Sequence, residues 1–600
     1  MTRGNRQSES LIQRGLSLDL RSLAVYRVAI GTVLLFQLVA LIPEIDDFYT
    51  DRGILPRDAL LSQFLNPWRF SVHLMSGEWV VQFGLFLLAI VFAAGLIVGY
   101  RTRVCTVASW FLLTSLQNRN SVILHGGDDV LRLLLFWSMF VPLNGRFSLD
   151  QALHPTRPRP KVTHLSWGSQ ALMLQLCFVY WFAAAAKWNS IWIREGSAIY
   201  YAMNLEQLST KFGQWLLKFP DLLRVMSRST VVFEFFMPFL ALSPVGTARL
   251  RLLAVAAFVT FHAALGLVLH LGNFPWVCSA GWLMFLPSEF WDRLGSSVAT
   301  RFHGIVIYFD DKCDFCRRVV FLLREGLLLH GADFQPAESV PAISVLMRER
   351  GSWIVRDNAQ ALHSGYDALL VLLRQSLLTA WLSPALAAAP VRRVGERVYV
   401  SVAGHRSRWS RILRAVTPPV PRYRFGVLTH AIVLSAVALV FAWNLSNFPW
   451  MRIERPAIVR HVADLALLGQ GWAMFAPKPG SEDGWYVIEG IEFNGTRIDL
   501  WRGGGEPNFG KPADVAEAYR DPQWRRYLSN LWDRDYSDYR LYFARYLCRT
   551  WNEKHAGPER VNLIYINYML EITPPPGGPL PPPEQVEIWR HYCFDKPATW

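Results

Sequence analysis

Residues 305–316 read Ile-Val-Ile-Tyr-Phe-Asp-Asp-Lys-Cys-Asp-Phe-Cys and join an apolar run to two closely spaced cysteines. The apolar run at 305–310 is typical of a short buried β-strand. The following residues 317–324, Arg-Arg-Val-Val-Phe-Leu-Leu-Arg, have the apolar spacing of an amphipathic helix. The sequence therefore predicts an α/β module in which a cysteine pair opens a helix.

A strand, a C-x-x-C pair and a helix in this order form a thioredoxin-like redox site. The helix dipole favours a thiolate at Cys313, and Lys312, Arg317 and Arg318 add positive charge. We therefore predict that Cys313 attacks and that Cys316 resolves the mixed disulfide. Two alternatives remain: a zinc site, which needs two further ligands that no nearby C-x-x-C or H-x-x-x-H supplies, and a vestigial pair.

The rest of the chain has the composition of a membrane protein with attached soluble parts. Of its 600 residues, 52% are hydrophobic and 18% are charged. Nine apolar runs of spanning or nearly spanning length are predicted to cross a bilayer. They lie near Leu23–Ile42, Val80–Val98, Val104–Leu116, Val130–Val141, Gln170–Ala186, Val231–Leu242, Leu252–Leu269, Trp276–Phe290 and Phe425–Trp443.

The net charge of +14 comes largely from arginines in short loops between these runs, so we expect no nucleic-acid partner. Arg21 precedes the first run, Arg101 and Arg103 follow the second, and Arg249 and Arg251 follow the sixth. This pattern predicts a multipass plasma (inner) membrane protein with a cytoplasmic N-terminus and cytoplasmic C-x-x-C module. The predicted parts are a cytoplasmic N-terminus (1–20), a membrane bundle (21–296), the redox module (300–415), a ninth span (422–446) and an extracytoplasmic domain (447–600).

Ionisable groups mark three places in the bundle. Asp128 and Arg132 stand four residues apart and share a helix face, where a capped helix with an ion pair is the plain structural interpretation. Lys187 closes a helix of small residues and precedes Trp192 by five positions. This lysine either extends its ammonium to water or acts as a desolvated base.

A third place combines His262 with Glu234, and both lie within apolar runs. An intramembrane histidine is a candidate for a proton relay or a polar ligand contact, and Glu234 is a candidate partner. A satisfied core histidine is the equally weighted alternative.

Several motifs of the membrane half resemble the HTTM domain, the transmembrane part of vitamin K-dependent γ-carboxylases and their bacterial relatives. They include Leu23-Ala-Val-Tyr-Arg27, Phe48-Tyr-Thr-Asp-Arg-Gly-Ile-Leu-Pro56, Gly-Gly-Asp128 and Ser148-Leu-Asp150, and the resemblance covers roughly Arg21 to Phe290. It implies that Lys187 corresponds to the base that starts vitamin K hydroquinone oxygenation, with Trp192 and His262 also at matching positions. It also implies a quinone or hydroquinone as the bound cofactor, while vitamin K-type epoxidase or carboxylase activity stays open.

The redox module resembles the DCC family of thiol-disulfide oxidoreductases from about His303 to Leu413. Asp310, Cys313 and Cys316 match the family signature Asp-x-x-Cys-x-x-Cys. The resemblance implies a dithiol that exchanges with protein disulfides.

The last 150 residues are polar and aromatic and predict a small α+β domain. Strand-like runs lie at Tyr486–Phe493, Arg497–Trp501, Val561–Ile572 and Gln585–Phe594, around a helical stretch at Asp514–Tyr546. If this domain is extracytoplasmic, Cys548 and Cys593 are candidates for a disulfide.

The predicted fold is thus a polytopic α-helical bundle of about eight spans plus a ninth, with a thioredoxin-like α/β domain and a C-terminal α+β domain. We predict a membrane redox protein whose dithiol exchange is coupled to a quinone-binding bundle. One alternative is an oxidoreductase merely anchored by the bundle. A second is a non-enzymatic membrane assembly or maturation factor. The expected partners are the lipid bilayer, a quinone, and a protein disulfide or an exported protein.

Overall fold

The computed structural model describes residues 10–64, 66–154, 162–299, 304–329, 331–376, 378–419, 425–451 and 453–594. Residues 1–9 of the predicted cytoplasmic N-terminus and the predicted boundaries at residues 300 and 422 lie outside the described residues, as does His303.

The membrane half is a helical bundle with one short strand pair. Its helices are α1 (Leu11–Leu16), α2 (Leu20–Ala40), α3 (Ile45–Tyr49), α4 (Arg57–Ala59), α5 (Trp79–Val98), α6 (Thr102–Arg119), α7 (Gly126–Ser138), α8 (Leu149–Ala152), α9 (Trp167–Ala186), α10 (Ala198–Met203), α11 (Lys211–Leu216), α12 (Pro220–Leu242), α13 (Thr247–Val268), α14 (Phe274–Trp282) and α15 (Ser288–Ala299). Strands β1 (Leu18–Asp19) and β2 (Thr163–His164) pair antiparallel.

Six helical segments of the described chain are long and apolar enough to cross a membrane. They are Leu20–Tyr49, α5, α9, α12, α13 and Val427–Ser446. The other three predicted spans are helical but differ from this pattern. Helix α6 buries polar side chains such as Gln117, α7 has only 13 residues, and α14 gives way at Leu283 to a tight 3-10 turn. Their membrane crossing stays a prediction, because a full span needs about 20 apolar residues.

The redox module follows as a four-stranded sheet with helices. Its elements are β3 (Val306–Phe309), α16 (Asp314–Gly326), β4 (Asp333–Pro336), α17 (Pro341–Arg350), β5 (Ile354–Arg356), β6 (Leu362–Ser364), α18 (Gly365–Gln375), α19 (Ser383–Ala387), α20 (Ala389–Gly404) and α21 (Arg406–Val416). The strand order is β4-β3-β5-β6, with β3 and β4 parallel and the other pairs antiparallel. Side chains from both faces of β3 enter apolar clusters, which explains its unbroken apolar sequence.

After the redox module, the chain continues through a long helix to a second domain that contains a sheet. Its elements are α22 (Val427–Ser446), α23 (Ala457–Ala466), β7 (Glu482–Glu492), β8 (Arg497–Asp499), α24 (Pro522–Trp532), α25 (Tyr539–Asn552), β9 (Val561–Ile572) and β10 (Glu584–Tyr592). The sheet is antiparallel in the order β10-β9-β7-β8. The single helical stretch predicted over Asp514–Tyr546 is in fact two helices, and Asp533 accepts a hydrogen bond from the Asp535 N–H in the break.

The redox module and the C-terminal domain contact opposite ends of the bundle. Beside the start of α6, Tyr100 donates a hydrogen bond to the Val416 carbonyl of α21 (2.8 Å). Beyond the other end of α6, Asn530 of α24 donates to the Val122 carbonyl (2.5 Å). Because α6 has 18 residues, these two contact regions are separated by about 27 Å along the helix.

The segment that follows α22 also supplies partners to polar groups inside the bundle. Arg132 Nε donates to the Leu467 carbonyl (3.1 Å), and Gln175 Nε2 donates to Gln470 Oε1 (2.8 Å). Both bundle side chains are buried. The last part of the chain therefore supplies hydrogen-bond acceptors to two buried polar side chains of the membrane half.

Candidate functional site

The cysteine pair stands at the N-terminus of α16. Cys313 is the N-cap residue, and the Cys316 backbone N–H donates to Cys313 Sγ (3.2 Å). The two sulfurs are paired as a disulfide, the Cα atoms are 5.2 Å apart, and both residues are partly exposed. An amide donor and the positive end of a helix dipole both stabilise a thiolate at Cys313 in the reduced form.

Asp310 organises the turn in front of the cysteines. Its Oδ1 accepts hydrogen bonds from the backbone N–H groups of Lys312 (3.0 Å) and Cys313 (3.2 Å). A side-chain carboxylate that accepts from following amides is a common device for fixing a turn. Asp310 therefore acts on the position of Cys313 through the backbone.

The positive charge expected around the thiols is partly neutralised. Arg318 Nε donates to Asp314 Oδ1 (3.1 Å), and Arg317 lies 3.8 Å from Asp314 and 3.9 Å from Asp311. Lys312 is exposed. The predicted positive charge is thus only partly available to the thiols, because Asp314, within the C-x-x-C itself, lies at ion-pair distance from Arg317 and Arg318.

Arg318 also joins the redox helix to the bundle. Its NH1 donates to the Leu153 carbonyl just after α8 (2.8 Å) and to Thr417 Oγ1 just after α21 (2.9 Å). By sequence alone, Arg318 is only a positive charge near the thiols. Its partners lie 165 and 99 residues away, so local spacing could not have found them.

Lys187 and Glu234 form a buried ion pair between α9 and α12. Lys187 Nζ lies 2.7 Å from both carboxylate oxygens, and the two residues are 4% and 5% exposed. The Trp192 ring centroid is 5.2 Å from the same ammonium, within range for a cation–π contact. The ammonium thus faces the protein interior, and an extension of Lys187 to water is not observed.

His262 belongs to a second polar cluster. Its Nε2 lies 2.6 Å from the Tyr180 hydroxyl, which accepts a hydrogen bond from Trp282 Nε1 (2.9 Å). His262 Nδ1 is buried and has no hydrogen-bond partner among the described residues. The expected pairing of His262 with Glu234 is not present, because Glu234 accepts from Lys187 instead.

Asp128 and Arg132 are both buried but do not pair with each other. Arg132 forms its ion pair with Asp129 (2.7 Å), three residues away. Asp128 accepts from the His125 backbone N–H (2.9 Å) and so caps the start of α7. The predicted i,i+4 pair is therefore wrong in its partner, although the prediction of a capped helix is confirmed.

A cleft of about 510 Å³ opens beside this cap, and its wall includes apolar side chains of α2 and α6, among them Phe36 and Leu113. Polar groups enter from one side: Asn273 Nδ2 donates to Gln37 Oε1 (2.8 Å), and Gln37 Nε2 donates to Asp128 Oδ1 (2.6 Å). Asn273 Oδ1 is buried without a partner among the described residues. An apolar cleft with a few converging polar groups is the usual form of a small-molecule site.

The cleft and the thiols lie at different ends of the bundle, so a molecule bound in the cleft does not contact the thiols. The cleft is lined by Leu116 near the end of α6 and by Pro522 of α24, so it lies at the end of the bundle that carries the C-terminal domain. No sequence motif indicated it, because its wall is assembled from distant helices.

Cys548 of α25 and Cys593 after β10 are paired as a disulfide, with Cα atoms 5.5 Å apart and a sequence separation of 45 residues. Among the residues that the structure describes, no group of three or more His, Cys, Asp or Glu side chains could hold a metal ion.

These features define a membrane protein with a redox-type cysteine pair on an attached module. Comparison with known families matches residues 17–291 to the HTTM domain and residues 307–412 to the DCC1-like thiol-disulfide oxidoreductase. The chain thus resembles an HTTM domain followed by a DCC1-like domain. No curated protein and no solved structure matches it.

Proposed function

We propose that this protein is a membrane-bound thiol–disulfide oxidoreductase that acts through Cys313 and Cys316. The observation that carries the proposal is the place of Cys313 at the N-terminus of α16, where the Cys316 amide donates to its sulfur. The match of residues 307–412 to the DCC1-like family supports the same chemistry.

The proposed exchange has two steps. The Cys313 thiolate attacks one sulfur of a substrate disulfide, forms a mixed disulfide and releases the other substrate sulfur as a thiolate. The Cys316 thiolate then attacks Cys313 Sγ, which releases the second substrate thiolate and leaves the Cys313–Cys316 disulfide. Two electrons pass to the substrate, and a quinol or another dithiol must supply two electrons and two protons to regenerate the pair.

A thioredoxin-like fold of this module is part of the proposal. The first two strands in sequence, β3 and β4, are parallel neighbours, and the next two continue the sheet antiparallel from β3. The cysteines follow the first strand and open the first helix, as they do in thioredoxin-like redox sites.

We further propose that the HTTM bundle binds a quinone-type molecule in the cleft beside Asp128. The apolar wall suits the ring and chain of such a molecule, and the chain Asn273–Gln37–Asp128 offers hydrogen bonds to its oxygens. The cleft and Cys313 belong to opposite ends of the bundle, so a molecule in the cleft is too far away for direct contact with the thiols. A quinol that reduces the pair must therefore reach α16 from the adjoining membrane surface.

A base role for Lys187 is the second candidate function in the bundle. The desolvated Lys187–Glu234 pair supports it, because a buried amine next to a carboxylate can pass a proton to or from a ligand. The double variant Lys187→Met/Glu234→Leu removes the base without leaving a lone buried charge. Loss of quinol turnover in this variant, with its fold, its quinone binding and the disulfide exchange of Cys313 retained, supports the base role.

Thiol trapping in membranes, with and without added menaquinol or ubiquinol, tests the main proposal. We expect reductant-dependent interconversion of dithiol and disulfide at Cys313 and Cys316. Cys313→Ser should abolish it, and Cys177→Ser, which changes a buried cysteine of α9, should leave it intact.

Three outcomes separate the alternatives. A response to quinol supports coupling between the module and membrane quinol. Reduction of a model disulfide without any quinol response supports an oxidoreductase that the bundle merely anchors. Absence of both activities contradicts the enzyme and favours the assembly or maturation factor.

A further inference from the structure

Helix α21, at the end of the redox module, exposes one apolar face. Trp409, Ile412 and Val416 are 40, 41 and 40% exposed. They stand three and four residues apart and so form one stripe along the helix. A different face approaches α16: Ser410 is buried, with its hydroxyl 3.5 Å from Asp314 Oδ2. Helix α21 therefore packs towards α16 with one face and exposes its apolar stripe on another face.

The charge on this helix has one sign. Its sequence, Arg-Ser-Arg-Trp-Ser-Arg-Ile-Leu-Arg-Ala-Val, contains four arginines and no acidic residue. Arg406 donates to the Gly351 carbonyl, and Arg414 lies 4.0 Å from Asp314. Arg408 stands beside the apolar stripe, four residues before Ile412, is exposed, and forms no ion pair with the described residues.

Contacts with the bundle place the helix at the level where the spans leave the membrane. The carbonyl of Val416, the last residue of α21, accepts from Tyr100, two residues beyond the end of the apolar span α5. The next span, α22, begins only 11 residues later, at Val427. Trp409 lies seven residues before Val416, so the whole stripe extends about 10 Å along the helix.

We propose that this face of α21 binds the headgroup region of an anionic bilayer. Trp409, Ile412 and Val416 enter the boundary of the acyl chains, and Arg408 binds lipid phosphates. Amphipathic helices with arginine and tryptophan bind membrane surfaces in this way. The bilayer is favoured over a protein partner because α21 ends beside the end of α5 and 11 residues before the next span, and because it carries only positive charge. The proposal does not rest on the redox chemistry. Binding of this face to the bilayer holds α16 beside the membrane.

Photo-crosslinking in the full chain tests the proposal. p-Benzoylphenylalanine is placed at residue 409 or 412, or at the control position Ser407, which is exposed but lies on the side of α21 opposite the stripe. The protein is reconstituted in nanodiscs of phosphatidylglycerol or of phosphatidylcholine. We expect lipid adducts at 409 and 412 and none at 407.

The arginine is tested separately. Arg408→Gln should lower the adduct yield at residue 412 about fivefold in phosphatidylglycerol and leave it unchanged in phosphatidylcholine. In the unmodified protein, amide hydrogen exchange over residues 406–416 should be slower in the anionic discs, which controls for damage by the probe. Equal adduct yields at 407, 409 and 412 would overturn the proposal, as would adducts to a second protein chain or exchange that does not depend on lipid charge.

Discussion

At the scale of single residues, the two cysteines of the C-x-x-C have unequal surroundings. Cys313 accepts the amide of Cys316 and follows a turn held by Asp310, whereas Cys316 lies one turn inside the helix. This asymmetry is what an attacking and a resolving thiol require.

The first prediction follows from this asymmetry. Cys316→Ser should accumulate a mixed disulfide between Cys313 and a protein substrate, because no second thiol releases it. Cys313→Ser should give no adduct. Non-reducing electrophoresis with mass spectrometry of the trapped species measures both, and an adduct in Cys313→Ser would contradict the assigned order of attack.

The second prediction concerns the buried pair in the bundle. Glu234→Gln leaves the Lys187 ammonium buried without a carboxylate and should lower the stability of the protein by about 3–5 kcal/mol. Lys187→Met/Glu234→Leu should recover most of that loss. Thermal unfolding in nanodiscs measures the change, and an unchanged midpoint in Glu234→Gln would show that the pair does not stabilise the fold.

At the scale of elements, strand β7 contributes a buried carboxylate that joins the C-terminal domain to the bundle. Asp483 Oδ2 accepts from the backbone N–H groups of Glu206 and Gln207, in the segment between α10 and α11. Burial raises the pKa of Asp483 to about 6, and the charge of Glu206 acts in the same direction.

The third prediction is a pH dependence of stability. The pKa of Asp483 is higher in the folded protein than its usual value of about 4, so the folded state binds this proton more tightly. The contribution of Asp483 to stability is therefore greatest below pH 4 and falls as the pH rises through 6. Between pH 4 and 7, the thermal unfolding midpoint of Asp483→Asn should fall less than that of the parent. The midpoint of Asp535→Asn, an exposed control, should fall as much as that of the parent.

The fourth prediction concerns the link between α25 and β10. The Cys548–Cys593 disulfide closes a loop of 45 residues, and its loss in Cys593→Ser should cost about 4 kcal/mol through the entropy of the unfolded chain. Denaturation with and without reductant measures this. Reductant should destabilise the parent by about this amount more than it destabilises Cys593→Ser, which keeps only the Cys313–Cys316 disulfide.

Element boundaries were predictable from sequence where the local pattern was strong. The predicted run Val561–Ile572 matches β9 at both ends, and the run after Gly304 gives β3. The predicted span Trp276–Phe290 is interrupted, because α14 ends at Trp282 and a 3-10 turn follows. Apolar composition does not distinguish these two conformations.

Partners within the sites were less predictable than the residues themselves. Lys187 and Glu234 were both identified, but their pairing joins residues 47 apart and depends on how α9 packs on α12. Arg132 forms its ion pair with Asp129 and not with Asp128, because the Asp128 carboxylate accepts hydrogen bonds from the His125 backbone N–H and from the Gln37 side chain. Such choices follow from tertiary packing and cannot be read from spacing.

At the scale of the whole molecule, the two modules occupy opposite ends of the bundle, which has a consequence for topology. We propose that the two cysteine pairs face different compartments, with Cys313 and Cys316 in the cytoplasm and Cys548 and Cys593 outside. A reducing cytoplasm would hold the first pair as a dithiol at rest, and an oxidising exterior would preserve the second as a disulfide.

The fifth prediction tests this arrangement. In intact spheroplasts, a membrane-impermeant maleimide should label Cys548 and Cys593 only after an impermeant reductant has been added. Cys313 and Cys316 should be labelled only after permeabilisation. Labelling of both pairs from the same side would contradict the proposed topology.

The hydrogen bonds from Arg132 to the Leu467 carbonyl and from Gln175 to Gln470 also constrain biosynthesis. Arg132 is synthesised 335 residues before Leu467, and Gln175 is synthesised 295 residues before Gln470. Until then, an arginine and an amide in the bundle lack those partners in a medium that offers few alternatives. A nascent chain is therefore an unfinished membrane protein until its last domain docks, and a truncated product should be a ready target for membrane quality-control proteases.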